Sequence, residues 1–111
     1  MFIQQLAINI HHRKDITMIV LYNDVQNSRI IYLGYDMKLS KKEYMIFSYI
    51  YQNGDFVSAD EIIENCYPDK KPHRGDIAAH ICHINKKADN IGGRALIISK
   101  YGVGYKITDK P

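Results

Sequence analysis

Hydrophobic and polar positions change period twice along this chain. Thr17 to Tyr22 and Arg29 to Leu33 are runs of β-branched and aromatic residues, which favour strands. Between them Asn23-Asp24-Val25-Gln26-Asn27-Ser28 is a turn-rich spacer, and Gly34 permits a second turn into Tyr35 to Leu39. The front of the chain therefore reads as a small antiparallel sheet. From residue 40 the period becomes helical. Ser40-Lys41-Lys42-Glu43 and Ser58-Ala59-Asp60-Glu61 are capping boxes, in which the serine oxygen accepts from the third helical N–H and the glutamate reaches back to the serine N–H. The first helix is expected to run to about Gln52, burying Tyr44, Phe47, Ile50 and Tyr51, with Asn53-Gly54 as its stop. The second is expected from Ala59 to about Cys66, burying Ile62 and Cys66, with Pro68 beyond its end.

The third helix, Arg74 to Asn90, has two faces. Ile77, Ile81, Ile84 and Ala88 recur at helical intervals, so at about 100° per residue they form one stripe. The opposite face carries Ala79, Cys82, His83 and Lys86, with Lys87 at its edge. Taken alone, such a helix is most often an ordinary amphipathic one with a solvated face. The residues on its C-terminal side give it another meaning, because strand alternation returns at once. Leu96 and Ile98 on one side of a turn face Val103, Tyr105 and Ile107 on the other, with Lys100 and Tyr101 at the tip and Gly102 and Gly104 supplying backbone freedom. The expected fold is α+β: an N-terminal antiparallel sheet, three helices and a C-terminal β-hairpin, the arrangement of a winged helix-turn-helix. Residues 1–16, with a weak alternation at Phe2 to Ile8 and a polar cluster at 11–15, are read as an N-terminal extension. Residues 17–111 are read as one domain.

Charge sharpens this reading more than composition does. At 111 residues, 46% hydrophobic and 24% charged, the chain is long enough and apolar enough for a single ordinary core. Its net charge is only +3, yet residues 69–111 hold nine Lys or Arg against four Asp or Glu, whereas residues 1–68 hold six against eight. The basic character sits where a phosphate footprint would have to be. The longest apolar runs are too short to span a bilayer and the first ten residues lack a secretory signal, so a cytoplasmic protein without membrane contact is expected. Cys66 and Cys82 are read as two free thiols in a reducing compartment. His80, Cys82 and His83 have the chemistry of zinc ligands, but His80 and Cys82 point about 200° apart on a helix, and no metal or cofactor is expected. Exposed beside lysines, Cys82 also fits a redox sensor, although a small residue suited to a groove is the commoner explanation. No nucleophile and base share a recognisable pattern and no glycine-rich phosphate loop occurs, so an enzyme is the least favoured class.

Four blocks carry a family resemblance: Leu39-Ser40-Lys41-Lys42-Glu43-Tyr44; Val57-Ser58-Ala59-Asp60-Glu61-Ile62-Ile63; Ile77-Ala78-Ala79-His80-Ile81 with Ile84-Asn85-Lys86-Lys87; and Tyr101-Gly102-Val103-Gly104-Tyr105. In this order and spacing they resemble the effector domain of response regulators of the OmpR/PhoB type, over about residues 17 to 108. The resemblance implies a four-stranded N-terminal sheet, three helices, a third helix in the major groove and a wing at the minor groove. It also implies a transcriptional regulator that binds double-stranded promoter DNA as a homodimer, with RNA polymerase as a further partner. The positions it assigns to DNA are Arg74, Gly75, Ala79, His80, Cys82, His83, Lys86, Lys87, Ser99, Lys100 and Tyr101.

Two departures stand out. Where the family's third helix is typically dense in arginine, this one has Gly75, Cys82, His83 and Asn85, and Tyr101 stands where a wing arginine often inserts. Neutral histidine offers one donor where arginine offers a fork. The receiver domain that usually precedes this module is not in the sequence, and the start at Met1 favours a free-standing regulator. The thinned arginine face keeps a second reading open, a winged helix that binds protein instead of DNA.

Overall fold

The computed structural model describes residues 20–111. The expected extension 1–16, and residues 17–19 of the first expected strand, lie outside the described residues. Three short strands open the described part in the order β1-β2-β3, all antiparallel: β1 Leu21–Asp24, β2 Arg29–Tyr32 and β3 Tyr35–Asp36. The family resemblance implies four; the described residues hold three in this sheet. β1 continues through Asn23 and Asp24, which the sequence pattern places in a turn. Asn23 is tolerated in a buried strand because Ser48 and Tyr44 satisfy it: its Nδ2 donates to Ser48 Oγ at 3.0 Å and its Oδ1 accepts from Tyr44 at 2.9 Å. Asp24 then caps the 3-10 turn Val25–Asn27, accepting from the Asn27 backbone and side chain and from Arg29. Leu33 and Gly34, both at positive φ, make the two-residue turn between the paired Tyr32 and Tyr35. β3 is shorter than the expected Tyr35–Leu39, because Lys38 turns to φ 55° with its N–H on Asp36 Oδ1 at 2.8 Å.

The helices are α1 (Lys41–Asn53), α2 (Ala59–Cys66) and α3 (Arg74–Gly92), and the first two begin on the expected capping chemistry. Both serine capping boxes close, each with reciprocal bonds of 2.9–3.2 Å, and Gly54 leaves α1 at φ 76°. Inside α1 the fully buried residues are Ile46, Phe47 and Ile50, while Tyr44 and Tyr51 are only half-buried. Tyr44 keeps its hydroxyl on Asn23 at the edge of the core, and the deepest positions of α1 go to side chains without a polar end. α3 runs two residues beyond Asn90 and ends on Gly93 at φ 77°. A side chain at Gly92 would stand 2.2 Å from the Tyr32 hydroxyl, so the last turn of α3 reaches β2 only because it lacks one.

The isoleucine stripe of α3 is the centre of the core. Ile77, Ile81, Ile84 and Ala88 are all buried, against Ile46, Phe47 and Ile50 of α1 and Ile62 and Ile63 of α2. Burying one isoleucine contributes roughly 1.5–3 kcal/mol, so this seam holds the three helices in fixed relation. Strands β4 (Ile97–Lys100) and β5 (Gly104–Ile107) form the C-terminal hairpin.

Candidate nucleic-acid interface

Burying one stripe of α3 decides what its other side offers. Arg74, Gly75, Ala79, Cys82, His83 and Lys86 are exposed, and His80 is half-exposed. Three of them, Gly75, Ala79 and Cys82, are small, so the helix backbone itself stands close to the surface at those positions.

Lys87 and Asn85 face inward instead. Lys87 Nζ lies 2.6 Å from Glu43 Oε1 and donates to the Lys38 carbonyl at 3.0 Å, tying α3 to the first turn of α1. Burial pushes the Glu43 carboxyl up, but the hydrogen bonds from Lys87 and the Ser40 backbone, together with the lysine's charge, outweigh it and hold the group below its ordinary value. Lys87 therefore enters the structure as an internal counter-charge. Asn85 pins the hairpin: its Oδ1 accepts from Leu96 N–H at 3.1 Å and Ile97 N–H at 2.9 Å, and its Nδ2 donates to the Ile97 carbonyl at 2.9 Å. Successive N–H groups in a strand point to opposite sides, so two converging on one oxygen require a bend. Strand alternation consequently starts one residue late, with Leu96 and Ile97 both buried and Ile98 turned outward, where the sequence pattern places Ile98 inward.

The hairpin carries its tip into solvent. Lys100 pairs with Gly104, a bond from Val103 N–H to the Lys100 carbonyl closes the turn, and Tyr101 is fully exposed. Its base is fixed by Val57, which exchanges two 2.8 Å backbone bonds with Tyr105. Gly104 makes this approach possible: its φ is 147°, and a side chain there would fall 2.1 Å from the Val57 carbonyl oxygen. Lys100 and Lys106 both set their ammonium groups over the Phe56 ring, at 5.9 and 5.7 Å from its centroid, within cation–π range.

Between this wing and the helix starts lies an open cleft of about 520 Å³, lined by Ser58, Asp60, Arg74, Ser99, Lys100 and Tyr101 among others. It gathers Arg74, Ser99, Lys100 and Tyr101 from the expected set. Ala79, His80, Cys82, His83 and Lys86 extend along α3, outside the cleft lining. Asp60 and Phe56 are additions that the sequence pattern does not anticipate. Asp60 holds Arg74 at two points, Nε to Oδ1 at 2.8 Å and NH2 to Oδ2 at 2.5 Å, and the pair depresses the carboxyl and raises the guanidinium. The sequence contains this pairing only as two helix-start residues of opposite charge, since adjacency of the two starts is a tertiary fact. Cys66 is buried, which pushes its thiol up, and Cys82 is exposed; both are free. Among the described residues no three His, Cys, Asp or Glu side chains gather as metal ligands would.

Residues 34–107 match the family model described as transcriptional regulatory protein, C terminal. The chain belongs to this family. It is a DNA-binding effector domain of the OmpR/PhoB type, and the winged-helix architecture agrees with solved members. The DNA-binding domain of the response regulator AdeR, solved with an intercistronic region, superposes with a TM-score of 0.72 at 18% identity, covering 82% of this chain and 96% of that one. The Klebsiella pneumoniae RstA DNA-binding domain, solved with the RstA box, gives 0.67 at 19% identity, covering 86% and 98%. A streptococcal redox sensor from a family described as evolved from two-component response regulators gives 0.72 at 16% identity, covering 95% of this chain and 48% of that one. No curated protein matches the chain. The family is one of transcription regulators, which is not an enzyme class. No helix among the described residues is long and apolar enough to cross a membrane.

Proposed function

We propose that this effector domain reads double-stranded promoter DNA by sequence, with α3 in the major groove and the wing tip at the minor groove. The observation that carries the reading is the stripe of Gly75, Ala79, Cys82, His83 and Lys86, exposed along a helix whose other side is locked in the core. A major groove about 12 Å wide admits an α-helix, and small side chains let it sit deep. Lys86 and Lys100 supply phosphate contacts. His83 offers a single donor or acceptor to a base edge, and Tyr101 enters the minor groove or packs on a sugar. Binding as a homodimer on paired half-sites, contact with RNA polymerase and a cytosolic location complete the proposal.

The test is fluorescence anisotropy on a duplex recovered by selection from random DNA, titrated at several salt concentrations. Contact with four to six phosphates gives a slope of roughly −3.6 to −5.4 in log K against log salt. Lys86→Ala with Lys100→Ala should weaken every duplex alike and flatten that slope by about 2. His83→Ala should instead change which duplex is preferred, and equal losses on all sequences would refute its base-reading role. Failure of the unaltered protein to shift any DNA at low salt would transfer the domain to the protein-binding alternative.

A further inference from the structure

Arg74 is the one guanidinium that α3 carries, and it is not free. Asp60 stands at the second position of α2 and Arg74 at the first of α3, and the turn between these helices brings the two starts together. The contact is fork to fork, through Nε and NH2, and both side chains remain open to solvent in the cleft shared with Lys100 and Tyr101. A guanidinium has five N–H donors. Asp60 takes two, leaving the outer edge of NH1 and NH2 unengaged.

Two kinds of acceptor compete for that edge. A phosphate is recognised chiefly by charge, and the Asp60 carboxylate already neutralises Arg74 and repels a second anion. A guanine is recognised by the geometry of its O6 and N7 acceptors, which match a planar pair of donors. An arginine held in one orientation by a carboxylate has surrendered its rotamer freedom before the base arrives, so less is lost on binding. Residues at the start of a recognition helix are those that reach base edges. We infer that Asp60 is a specificity-determining residue: it withholds Arg74 from phosphates and presents the remaining guanidinium edge to a guanine in the major groove. The inference rests on the proposed DNA-reading role of α3.

The experiment compares two labelled duplexes, one carrying the site selected from random DNA and one with that site scrambled. Asp60→Asn keeps a polar group at the start of α2 but removes the charge. It should tighten binding to the scrambled duplex about tenfold, steepen the salt slope by about 0.9 and lower the ratio between the duplexes. Arg74→Lys keeps the charge and loses the fork. It should bind the scrambled duplex within about twofold of the unaltered protein while losing about tenfold discrimination at a single G·C pair, located by replacing each G·C of the site with A·T. Exposed ion pairs contribute little to stability, and unchanged urea midpoints for both variants confirm that folding is not being measured. An unaltered ratio and slope in Asp60→Asn, or equal weakening of both duplexes in Arg74→Lys, overturns the inference and leaves DNA reading intact. Absence of binding by the unaltered protein overturns both.

Discussion

Gly104 and Gly102 differ by two positions and by what surrounds them. At Gly102 the φ is 75° with nothing within 4 Å of an added side chain, so Gly102→Ala meets only backbone strain, about 1 kcal/mol. At Gly104 the φ of 147° combines with the Val57 carbonyl in the space a methyl would need. Gly104→Ala should cost about 3 kcal/mol or more in urea-monitored unfolding; equal losses for the two variants would show that the Val57 contact gives way easily. Both glycines are legible in the sequence as turn residues. Their inequality is not, because it depends on a carbonyl from residue 57. The same limit applies to Asn23, whose turn-forming character is overruled by Tyr44 and Ser48, whereas Asp24 beside it keeps its own and caps the next turn.

Elements are more legible than the contacts between them. Ser40, Ser58 and their glutamates announce α1 and α2 because capping is a local exchange between residues three apart. The stripe Ile77-Ile81-Ile84-Ala88 announces α3 and its buried face for a similar reason, since periodicity is local geometry. What joins α3 to the wing is hidden from the sequence, because the family pattern puts Asn85 on the outer face and its actual partners lie 11 and 12 residues on. Asn85→Ala should destabilise the domain by about 2–3 kcal/mol, having left two strand amides and a carbonyl without partners. Hydrogen exchange should show where: protection lost at Leu96 and Ile97 with the α1 amides unchanged. A uniform loss across the domain would mean that the asparagine serves the whole core and not the hairpin joint.

For the molecule as a whole, acid is the informative variable. Glu43 and Asp24, both shielded from solvent, are each held below their ordinary carboxyl values in the folded state, so folding favours their charged forms. The stability they contribute is present above the unfolded values of 4.5 for Glu43 and 3.8 for Asp24, and is lost as pH falls through the lower folded ones. The urea midpoint should therefore be flat from about pH 7 to about 5 and drop at more acidic pH. Glu43 is the buried carboxylate at the α1–α3 contact, and Glu43→Gln leaves Lys87 without its counter-charge. That variant should start about 2 kcal/mol lower at neutral pH and show a shallower acid decline. A decline as steep as that of the unaltered protein would assign the acid sensitivity elsewhere. The split of basic and acidic residues along the sequence correctly marks which end of the fold carries the cations, but it cannot say that Lys87 and Arg74 are already matched within the protein.

The two hydrogen bonds between Val57 and Tyr105 immediately precede Ser58, the residue that caps α2. Beside the Asn85 joint, hairpin and helix-turn-helix are thus riveted a second time, just beyond the free tip. For anyone re-engineering the domain's target, residues 101–103 are an exchangeable cartridge: their length and chemistry can be rewritten, provided the rivet at 104–105 stays. A transplanted wing that brings its own residue in place of Gly104 would not merely bind differently; it would pry at the start of α2 and disturb the aim of the helix that follows it.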